Sequence, residues 1–169
     1  MTVADQQSIA DLITSMGIAA RRASRQLAGL SPKIKNDALL AMAEKFDANR
    51  DLIKTENQKD LDAGQANGLT DAMIDRLRRD DAGIDKIMVA VRQIAELPDP
   101  VGGLENVNVR PNGLRIGHMR APIGVVGIIY ESRPNVTVDA GALCLKSGNA
   151  TILRGGKEAI HSNKVLAQL

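Results

Sequence analysis

The chain has 169 residues, of which 44% are hydrophobic, and its formal net charge is +2. These values are typical of a folded globular protein of about one domain, and they exclude a disordered chain. Two aromatic residues, Phe46 and Tyr130, are too few for single-stranded nucleic-acid binding by base stacking, so no nucleic-acid partner is expected. The single cysteine, Cys144, excludes an internal disulfide and a cysteine-based zinc site, and it indicates a cytoplasmic location.

Membrane and metal partners are not expected either. The longest apolar run, residues 125–130, is far shorter than the ~20 residues of a membrane-spanning helix. His118 and His161 are isolated and lack the paired spacing of metal ligands, so we predict no metal site.

The first part of the chain, up to about residue 96, has the period of α-helices. A first helix is predicted to end at residues 27–30, where Gly29 interrupts the pattern. Ser31 and Pro32 are typical of an N-cap and a first helical turn, so a second helix is predicted to begin there. Its buried face is expected to contain Ile34, Ala38, Met42, Phe46, Asn49 and Ile53.

A third helical stretch is predicted after a connection marked by Gly64 and Gly68. Thr70 is the expected N-cap of this stretch, and Gly83 is a candidate break within it. Its apolar residues fall into two groups, which are Met73, Ile74 and Leu77, and then Ile84, Ile87, Met88, Val91 and Ile94.

From residue 106 the pattern changes to short strands. Residues 107–110 and 114–120 flank a Pro-Asn-Gly turn and predict a β-hairpin. Residues 125–130 are apolar on both faces, as in a central parallel strand, and residues 150–153 predict a second buried strand. A helix is expected from Pro134 to Lys146, with a stop at Ser147-Gly-Asn, and another from Lys157 onward. This alternation predicts an α/β fold with a parallel sheet.

Charge is distributed unequally along the sequence. Residues 1–105 have a net charge of −3, whereas residues 106–169 carry 8 basic and 3 acidic side chains. The basic part is compatible with an anionic ligand such as a nucleotide, and it is equally compatible with an unevenly charged surface that binds nothing. The Arg21-Arg22-Arg25 group and the Arg76-Arg78-Arg79 group are interpreted as solvated helix faces.

The strongest anion-site motif is the segment from Ile152 to Lys157. A strand ends, Gly155 and Gly156 turn the chain and a helix follows, and free N–H groups at a helix amino terminus favour phosphate. The alternative is an ordinary strand-to-helix connection, which the motif alone does not exclude. The segment is not a P-loop, since Thr151 and Glu158 stand where a glycine and a hydroxyl residue are needed. A G-x-G-x-x-G dinucleotide fingerprint is also absent.

Residues 120–163 carry more specific motifs. The Pro122-x-Gly-Val-Val and Ser147-Gly-Asn motifs resemble those of the aldehyde dehydrogenase superfamily. The segments Tyr130–Val136 (YESRPNV) and Leu153–Glu158 (LRGGKE) resemble one family within it, γ-glutamyl phosphate reductase, also called glutamate-5-semialdehyde dehydrogenase. The resemblance covers essentially the whole chain. It implies an aldehyde-dehydrogenase-like, Rossmann-type cofactor domain with N-terminal helices and a β-hairpin.

The resemblance also implies a reaction and a domain organisation. The family reduces γ-glutamyl phosphate with NADPH in proline biosynthesis, through a cysteine thioester, and releases phosphate. Its nucleophilic cysteine lies beyond the region represented here, so the chain is expected to be an incomplete, N-terminal part that is inactive alone. The expected units are a helical part at 1–106, a hairpin at 107–122 and a truncated dinucleotide-binding unit at 123–169. The hairpin is expected to be an oligomerisation arm, so the full-length enzyme should be a homo-oligomer.

The same resemblance assigns site residues. Asn135 is a candidate oxyanion stabiliser, with a helix N-cap as the alternative role, and Arg133 competes with it for that position and is also a candidate substrate-binding residue. The expected cofactor-binding residues are Tyr130, Glu131, Arg154, Gly155, Gly156 and Lys157. In many superfamily members a glutamate occupies the position of Lys157 and binds the 2′-hydroxyl of NAD. A lysine there favours the 2′-phosphate of NADP.

Overall fold

The computed structural model describes the chain from residue 3 to residue 169, and its side chains from Ser8 onward. Five helices come first, followed by a hairpin and then by a strand–helix–strand–helix unit. A single 3₁₀ turn, Lys157–Ala159, separates the last strand from the last helix. The elements are α1 Val3–Leu27, α2 Pro32–Ala48, α3 Arg50–Ala66, α4 Asp71–Leu77, α5 Asp81–Glu96, β1 Leu104–Val109, β2 Arg115–Met119, β3 Val125–Ile129, α6 Pro134–Lys146, β4 Ala150–Arg154 and α7 Ile160–Gln168.

The start of α2 follows its sequence signals, but its buried face does not. Ser31 is the N-cap, and its hydroxyl accepts a hydrogen bond from the Ile34 amide at 3.4 Å. Ile34 is half exposed and Ala38 is exposed, so the expected face is wrong at both positions. The buried face is rotated by one residue and contains Lys35, Leu39, Ala43 and Phe46. The rotation is possible because the Lys35 ammonium is paired inside the protein, 2.5 Å from a carboxylate oxygen of Asp99.

Two glycines have roles different from those expected. Gly64 lies within α3 rather than in the connection after it, and a Cβ there would fall 2.9 Å from Ile74 Cδ1, so the glycine allows α4 to pack closely. Gly83 does not break a helix. Its amide donates to the N-cap side chain of Asp80 at 2.8 Å, and the break between α4 and α5 lies at residues 78–80.

The main hydrophobic core joins the helical region to the strand–helix unit. Its buried residues come from five helices, and they are Leu39, Ala43, Phe46, Ile53, Ile84, Ile87, Met88, Val91, Ile94, Ala95, Val138, Ala142, Val165 and Leu166. A smaller cluster of Leu61, Ile74, Leu77 and Ala159 packs beneath the 3₁₀ turn. The helices before residue 97 therefore form part of the scaffold that supports the strands. The boundaries expected at residues 106 and 122 remain predictions.

The predicted hairpin is present and begins a few residues earlier than expected. Strands β1 and β2 pair antiparallel, with an irregularity between Glu105 and Asn108. Gly113 occupies the turn at φ +84°, a conformation that side chains other than glycine rarely adopt. Every residue of both strands is exposed.

The expected parallel unit is also present. Strands β3 and β4 pair in parallel from Val125–Ala150 to Ile129–Arg154, and α6 connects them. Gly148 ends this helix at φ +72°, where its Cα hydrogens face Pro122 and a Cβ would clash with that ring at 2.9 Å. The expectation of two fully buried strands is wrong, because Ile129 is 80% exposed and β4 is only partly covered. Within the described residues this sheet has two strands, so each has a free edge.

Candidate functional site

The carboxyl ends of β3 and β4 meet at one edge of the parallel sheet. The Tyr130 amide donates to the Arg154 carbonyl at 3.0 Å, which continues the ladder one residue past β3. Above this edge is a cavity of about 690 Å³, here called the strand-end cavity. It is lined by Met73, Ile129, Tyr130, Glu131, Ser132, Arg154, Gly156, Lys157 and Glu158. Five of the six expected cofactor-binding residues line this one cavity, and the sixth, Gly155, lies between two of them in sequence.

Both glycines of the turn lie close to atoms of neighbouring segments. A Cβ on Gly155 would fall 2.3 Å from Asn163 Nδ2 and 3.0 Å from the Tyr130 ring. A Cβ on Gly156 would fall 2.5 Å from a Glu158 carboxylate oxygen and 3.3 Å from the Glu131 backbone. The Gly-Gly pair therefore allows the loop after β4 to approach the loop after β3 closely. As a result, the backbone of Gly156 forms part of the cavity wall.

Tyr130 is fixed beneath the cavity by a short hydrogen-bonded chain. Its hydroxyl oxygen lies 2.6 Å from Thr137 Oγ1, and the Thr137 hydroxyl donates to Asn163 Oδ1 at 3.0 Å. Thr137 and Asn163 are buried in α6 and α7. The chain links both helices to the loop after β3, and it holds the tyrosine ring in one position.

The amino terminus of α7 is not available to a phosphate group. The Asp60 carboxylate of α3 accepts from the His161 amide at 3.1 Å and from the Ser162 amide at 2.8 Å. The helix itself begins at Ile160, after the 3₁₀ turn, and not at Lys157 as expected. A carboxylate of the protein therefore occupies the amides of His161 and Ser162, so these two do not bind a phosphate, and the anion site expected at residues 152–157 remains a prediction.

Charged side chains of both signs line the strand-end cavity. Arg154 and Lys157 are basic, whereas Glu131 and Glu158 are acidic, so the formal charge of this group is zero. Arg154, Lys157 and Glu131 are exposed to solvent. Any preference for an anion here depends on the placement of individual side chains, since the overall charge gives none.

Arg133 and Asn135 lie at a different cavity. This second cavity has a volume of about 240 Å³ and is lined by Arg76, Arg79, Arg133, Asn135, Val136 and Asp139; we call it the arginine cavity. The cavity lies between the carboxyl end of α4 and the amino end of α6. Arg133 is the N-cap residue of α6, without a side-chain capping hydrogen bond, and Asn135 lies inside the first turn. The alternative role of Asn135 as a helix N-cap is therefore wrong, since α6 begins at Pro134.

Burial shifts the pKa values of two charged side chains at the arginine cavity. Arg79 is partly buried, and burial lowers its pKa, while the charges of Asp80 and Asp139 act in the opposite direction. Burial likewise raises the pKa of Asp139, and the Arg79 charge opposes that shift. The interpretation of Arg79 as a solvated residue is wrong, whereas Arg76 and Arg78 are exposed as expected. The Arg21-Arg22-Arg25 face is exposed too.

Several contributing residues carried no signal in the sequence. Met73 reaches the strand-end cavity from α4, and Arg76 and Arg79 reach the arginine cavity from the same helix and its end. Asp60 stands about a hundred positions from the amides that it binds. No local pattern connects residues so distant in sequence.

The remaining candidate residues are not arranged for catalysis or metal binding. Cys144 is a free cysteine that is buried in α6. Among the described residues, no group of three or more histidine, cysteine, aspartate or glutamate side chains is placed to hold a metal ion. The described helices include none that is long and apolar enough to cross a membrane.

The fold and the strand-end cavity define an α/β protein with a cavity of about 690 Å³ at the carboxyl ends of two parallel strands. No protein-family model matches the chain. Two solved structures are similar to it. The γ-glutamyl phosphate reductase of Thermotoga maritima is 43% identical, with a TM-score of 0.85 over 87% of this chain and 36% of its own. The γ-glutamyl phosphate reductase of Saccharomyces cerevisiae is 34% identical, with a TM-score of 0.83 over 88% of this chain and 38% of its own.

The chain is thus a relative of the γ-glutamyl phosphate reductases in sequence and in fold, which confirms the resemblance expected from residues 120–163. It spans a little more than a third of the length of these two reductases. The α/β fold class is confirmed by the same match.

Proposed function

We propose that residues 1–169 form the cofactor-domain part of an NADP-dependent glutamate-5-semialdehyde dehydrogenase. Such an enzyme reduces L-glutamyl 5-phosphate to L-glutamate 5-semialdehyde and releases phosphate, in proline biosynthesis. The observation that carries the proposal is the 43% identity and TM-score of 0.85 to a protein named as a γ-glutamyl phosphate reductase. The proposal places the protein in the cytoplasm, with small-molecule ligands and without nucleic-acid or membrane partners.

The strand-end cavity suits a nicotinamide dinucleotide. Its volume of about 690 Å³ lies within the range of ~300–1,000 Å³ typical of small-molecule sites. In the proposed assignment Tyr130, Glu131 and the Gly-Gly turn contact the cofactor, Arg154 lies near its adenosine ribose and Lys157 binds its 2′-phosphate. NADPH would supply the hydride of the reaction. The chain's own part is to bind and orient the cofactor.

The substrate-side residues of the proposal are Arg133 and Asn135. An asparagine amide is a hydrogen-bond donor suited to a developing oxyanion, and a guanidinium pairs with carboxylate or phosphate. The nucleophilic cysteine of the reaction is proposed to lie outside these 169 residues, because Cys144 is buried and has no basic partner. The chain alone is therefore proposed to be catalytically inactive.

Lys157→Glu tests the cofactor assignment. A charge-assisted contact contributes about 1.5–3 kcal/mol, so the change should weaken NADPH binding by roughly tenfold or more. NADH, which has no 2′-phosphate, should be affected much less. The matched control is Lys164→Glu, an exposed lysine of α7 that does not line the cavity, and it should leave both dissociation constants unchanged. An equal change for NADPH and NADH with Lys157→Glu would contradict the assignment. The measurement belongs in the full-length enzyme.

A second candidate function is a non-catalytic nucleotide-binding or structural module. The observation in its favour is the balanced charge of the strand-end cavity, together with the occupied amino terminus of α7. The gene downstream of the Leu169 codon discriminates the two candidates. An open frame encoding a cysteine-containing catalytic domain supports the reductase, and a stop codon supports the module.

The hairpin is proposed to mediate assembly. Its two strands are exposed along their whole length, and an isolated two-stranded hairpin is marginally stable in water. A partner surface would cover its exposed apolar residues, which include Leu104, Val109 and Met119. Deleting residues 107–120 from the full-length enzyme should lower its mass in solution by light scattering, and an unchanged mass of folded protein would refute this role.

A further inference from the structure

The arginine cavity concentrates positively charged side chains. Three guanidinium groups line it, and the one carboxylate among its lining residues is Asp139. Among the described side chains, no carboxylate lies within ion-pair distance, 4.0 Å, of Arg76, Arg79 or Arg133. The residues that line the cavity have a formal charge of +2 with Asp139 ionised, and Asp80, outside the lining, adds a negative charge that also acts on Arg79.

Arg79 is held in place by backbone, not by an acid. Its guanidinium donates to the carbonyls of Arg76, at 3.0 Å, and of Arg78. Its Nε is a buried donor without a hydrogen-bond partner, and the amide oxygen of Asn135 is a buried acceptor without one. Unpaired buried polar atoms are rare in folded proteins and each needs a physical explanation. An anionic ligand supplies an acceptor for Arg79 Nε. Asn135 Oδ1 is itself an acceptor, so an oxyanion does not satisfy it, and Asn135 can contact such a ligand only through its Nδ2 donor.

The size of the cavity limits the ligand. A volume of about 240 Å³ is below the ~300 Å³ at which sites for drug-sized molecules begin, so a dinucleotide does not fit. One tetrahedral oxyanion with part of the molecule that carries it does fit. Guanidinium groups are the side chains best suited to such anions, because they donate two parallel hydrogen bonds to neighbouring oxygens.

We propose that the arginine cavity binds a phosphoryl dianion, and that Arg76 and Arg79 act with Arg133 to hold the phosphate of the acyl phosphate substrate. This inference rests on the proposed function for the identity of the substrate, but the anion site itself does not. It assigns α4 and its carboxyl end to substrate binding, in addition to the loop after β3. Three guanidinium groups line the cavity, and a phosphoryl group offers them three oxygens where a carboxylate offers two, which is the reason for choosing phosphate.

The experiment is a titration of residues 1–169 with inorganic phosphate at constant ionic strength, followed by amide NMR and calorimetry. The amide signals of Asn135 and Val136 should shift, since these residues line the cavity. Arg76→Gln and Arg133→Gln should each weaken phosphate binding at least tenfold, which corresponds to about 1.4 kcal/mol. Both side chains are exposed, so neither change removes an internal hydrogen bond. The matched control is Arg78→Gln, which removes an exposed arginine of the same segment outside the cavity and should change the affinity less than twofold.

Competition with a second ligand distinguishes a site for a phosphoryl group from a site for carboxylates. L-Glutamate, whose anionic groups are carboxylates, should not displace phosphate at equal concentration, and displacement would overturn the assignment to a phosphoryl group. Equal weakening by Arg76→Gln, Arg133→Gln and Arg78→Gln would show general charge attraction and overturn the site. Unchanged phosphate binding in both Arg76→Gln and Arg133→Gln would overturn it as well.

The test is independent of the cofactor assignment. Lys157 lines the strand-end cavity, so Lys157→Glu should leave phosphate binding at the arginine cavity unchanged. If phosphate binds there as predicted while Lys157→Glu affects NADPH and NADH equally, the cofactor proposal fails and the anion site stands. If phosphate binding is lost with Lys157→Glu and kept with Arg76→Gln, the anion belongs to the strand-end cavity and this inference is wrong.

Discussion

Asp60 and Ser162 join α3 to the amino terminus of α7 through one carboxylate oxygen. Oδ2 of Asp60 accepts from the Ser162 amide at 2.8 Å and from the Ser162 hydroxyl at 2.6 Å, and both residues are fully buried. Asn57, one turn earlier in α3, donates to the same hydroxyl at 2.9 Å. The geometry is that of an N-cap supplied by a distant helix, and it fixes the 3₁₀ turn and Lys157 beside the sheet.

Removing this tertiary cap should be costly. Asp60→Ala leaves the Ser162 hydroxyl and two amides without their acceptor, so we expect a loss of about 2–3 kcal/mol in the free energy of unfolding. Urea denaturation measures it. The control is Asp62→Ala on the exposed face of α3, where the lost contact is a surface hydrogen bond with Gln58. An equally small effect of both changes would contradict the role assigned to Asp60.

Gly155→Ala should disturb the strand-end cavity. The new methyl group would lie 2.3 Å from Asn163 Nδ2, so either the loop or the Tyr130–Thr137–Asn163 chain must move. We expect destabilisation of about 1–3 kcal/mol, as for other overpacked sites. Gly17→Ala is the opposite case, because it lies in the interior of α1 with no atom within 4 Å of its Cβ position. It should stabilise the protein by about 0.5–1 kcal/mol, and a thermal melt of both variants reveals the contrast in sign.

Asp99 should make the protein sensitive to acid. Partial burial alone would raise the pKa of Asp99, but the hydrogen bond from Lys35, the amide of Val101 and the charges of Lys35 and Lys146 lower it below the usual 3.8. The stability that ionised Asp99 contributes is therefore present above about pH 4 and lost as the pH falls through the lowered pKa. Asp99→Asn should remove this contribution at pH 6 and flatten the decline of the urea midpoint between pH 4 and pH 2.

Asp99→Asn, which breaks the ion pair with Lys35, should also lower the free energy of unfolding at neutral pH, because the Lys35 side chain is only 2% exposed. Removal of one partner of a buried pair costs about 3–5 kcal/mol. Asp37→Asn is the control, since its pair with Lys33 is exposed on the surface of α2. Comparable losses in both variants at pH 6 would show that the Lys35–Asp99 pair has no special weight.

The chain alone should have no reductase activity. The measurement is the reverse reaction, with the semialdehyde, phosphate and NADP, on purified residues 1–169. Cys144 is buried within α6, so it is not placed to attack a substrate. Turnover that persists in Cys144→Ser would show that a different residue of this chain performs the chemistry, and the proposed division of labour would then be wrong.

Local chemistry made part of this protein predictable. The N-cap at Ser31, the turn at Gly113 and the helix stop at Gly148 follow from residue types whose preferences act over a few positions. The grouping of Tyr130, Arg154 and Lys157 follows from the rule that parallel strands bring their carboxyl ends together. These features need no knowledge of distant contacts.

Tertiary contacts determined the rest. The buried face of α2 was misplaced because lysine is normally a surface residue. The burial of Lys35 is explained by its ion pair with Asp99 and by its hydrogen bond to the Lys146 carbonyl at 3.1 Å. The hydrogen bonds from the α7 amides to Asp60, and the placement of Arg79 and Asn135 at one cavity, depend on how the helices pack. A pattern of residue types along the sequence does not predict such contacts between distant helices.

The two buried lysines, Lys35 and Lys146, provide a way to measure opening of the protein by chemical labelling. Lys35 is 1% exposed and Lys146 is 3% exposed, and the Lys146 ammonium donates to Asn36 Oδ1 at 2.6 Å and to the Ala95 carbonyl at 2.8 Å. Amine-directed reagents should therefore modify exposed lysines such as Lys33 and Lys157 quickly and leave these two untouched in the native state. Since the two lysines contact residues of α2, α5 and α6, their modification by such a reagent requires these three helices to separate. The rate at which mass spectrometry detects label on Lys35 and Lys146 then measures how often this part of the helical core opens under native conditions.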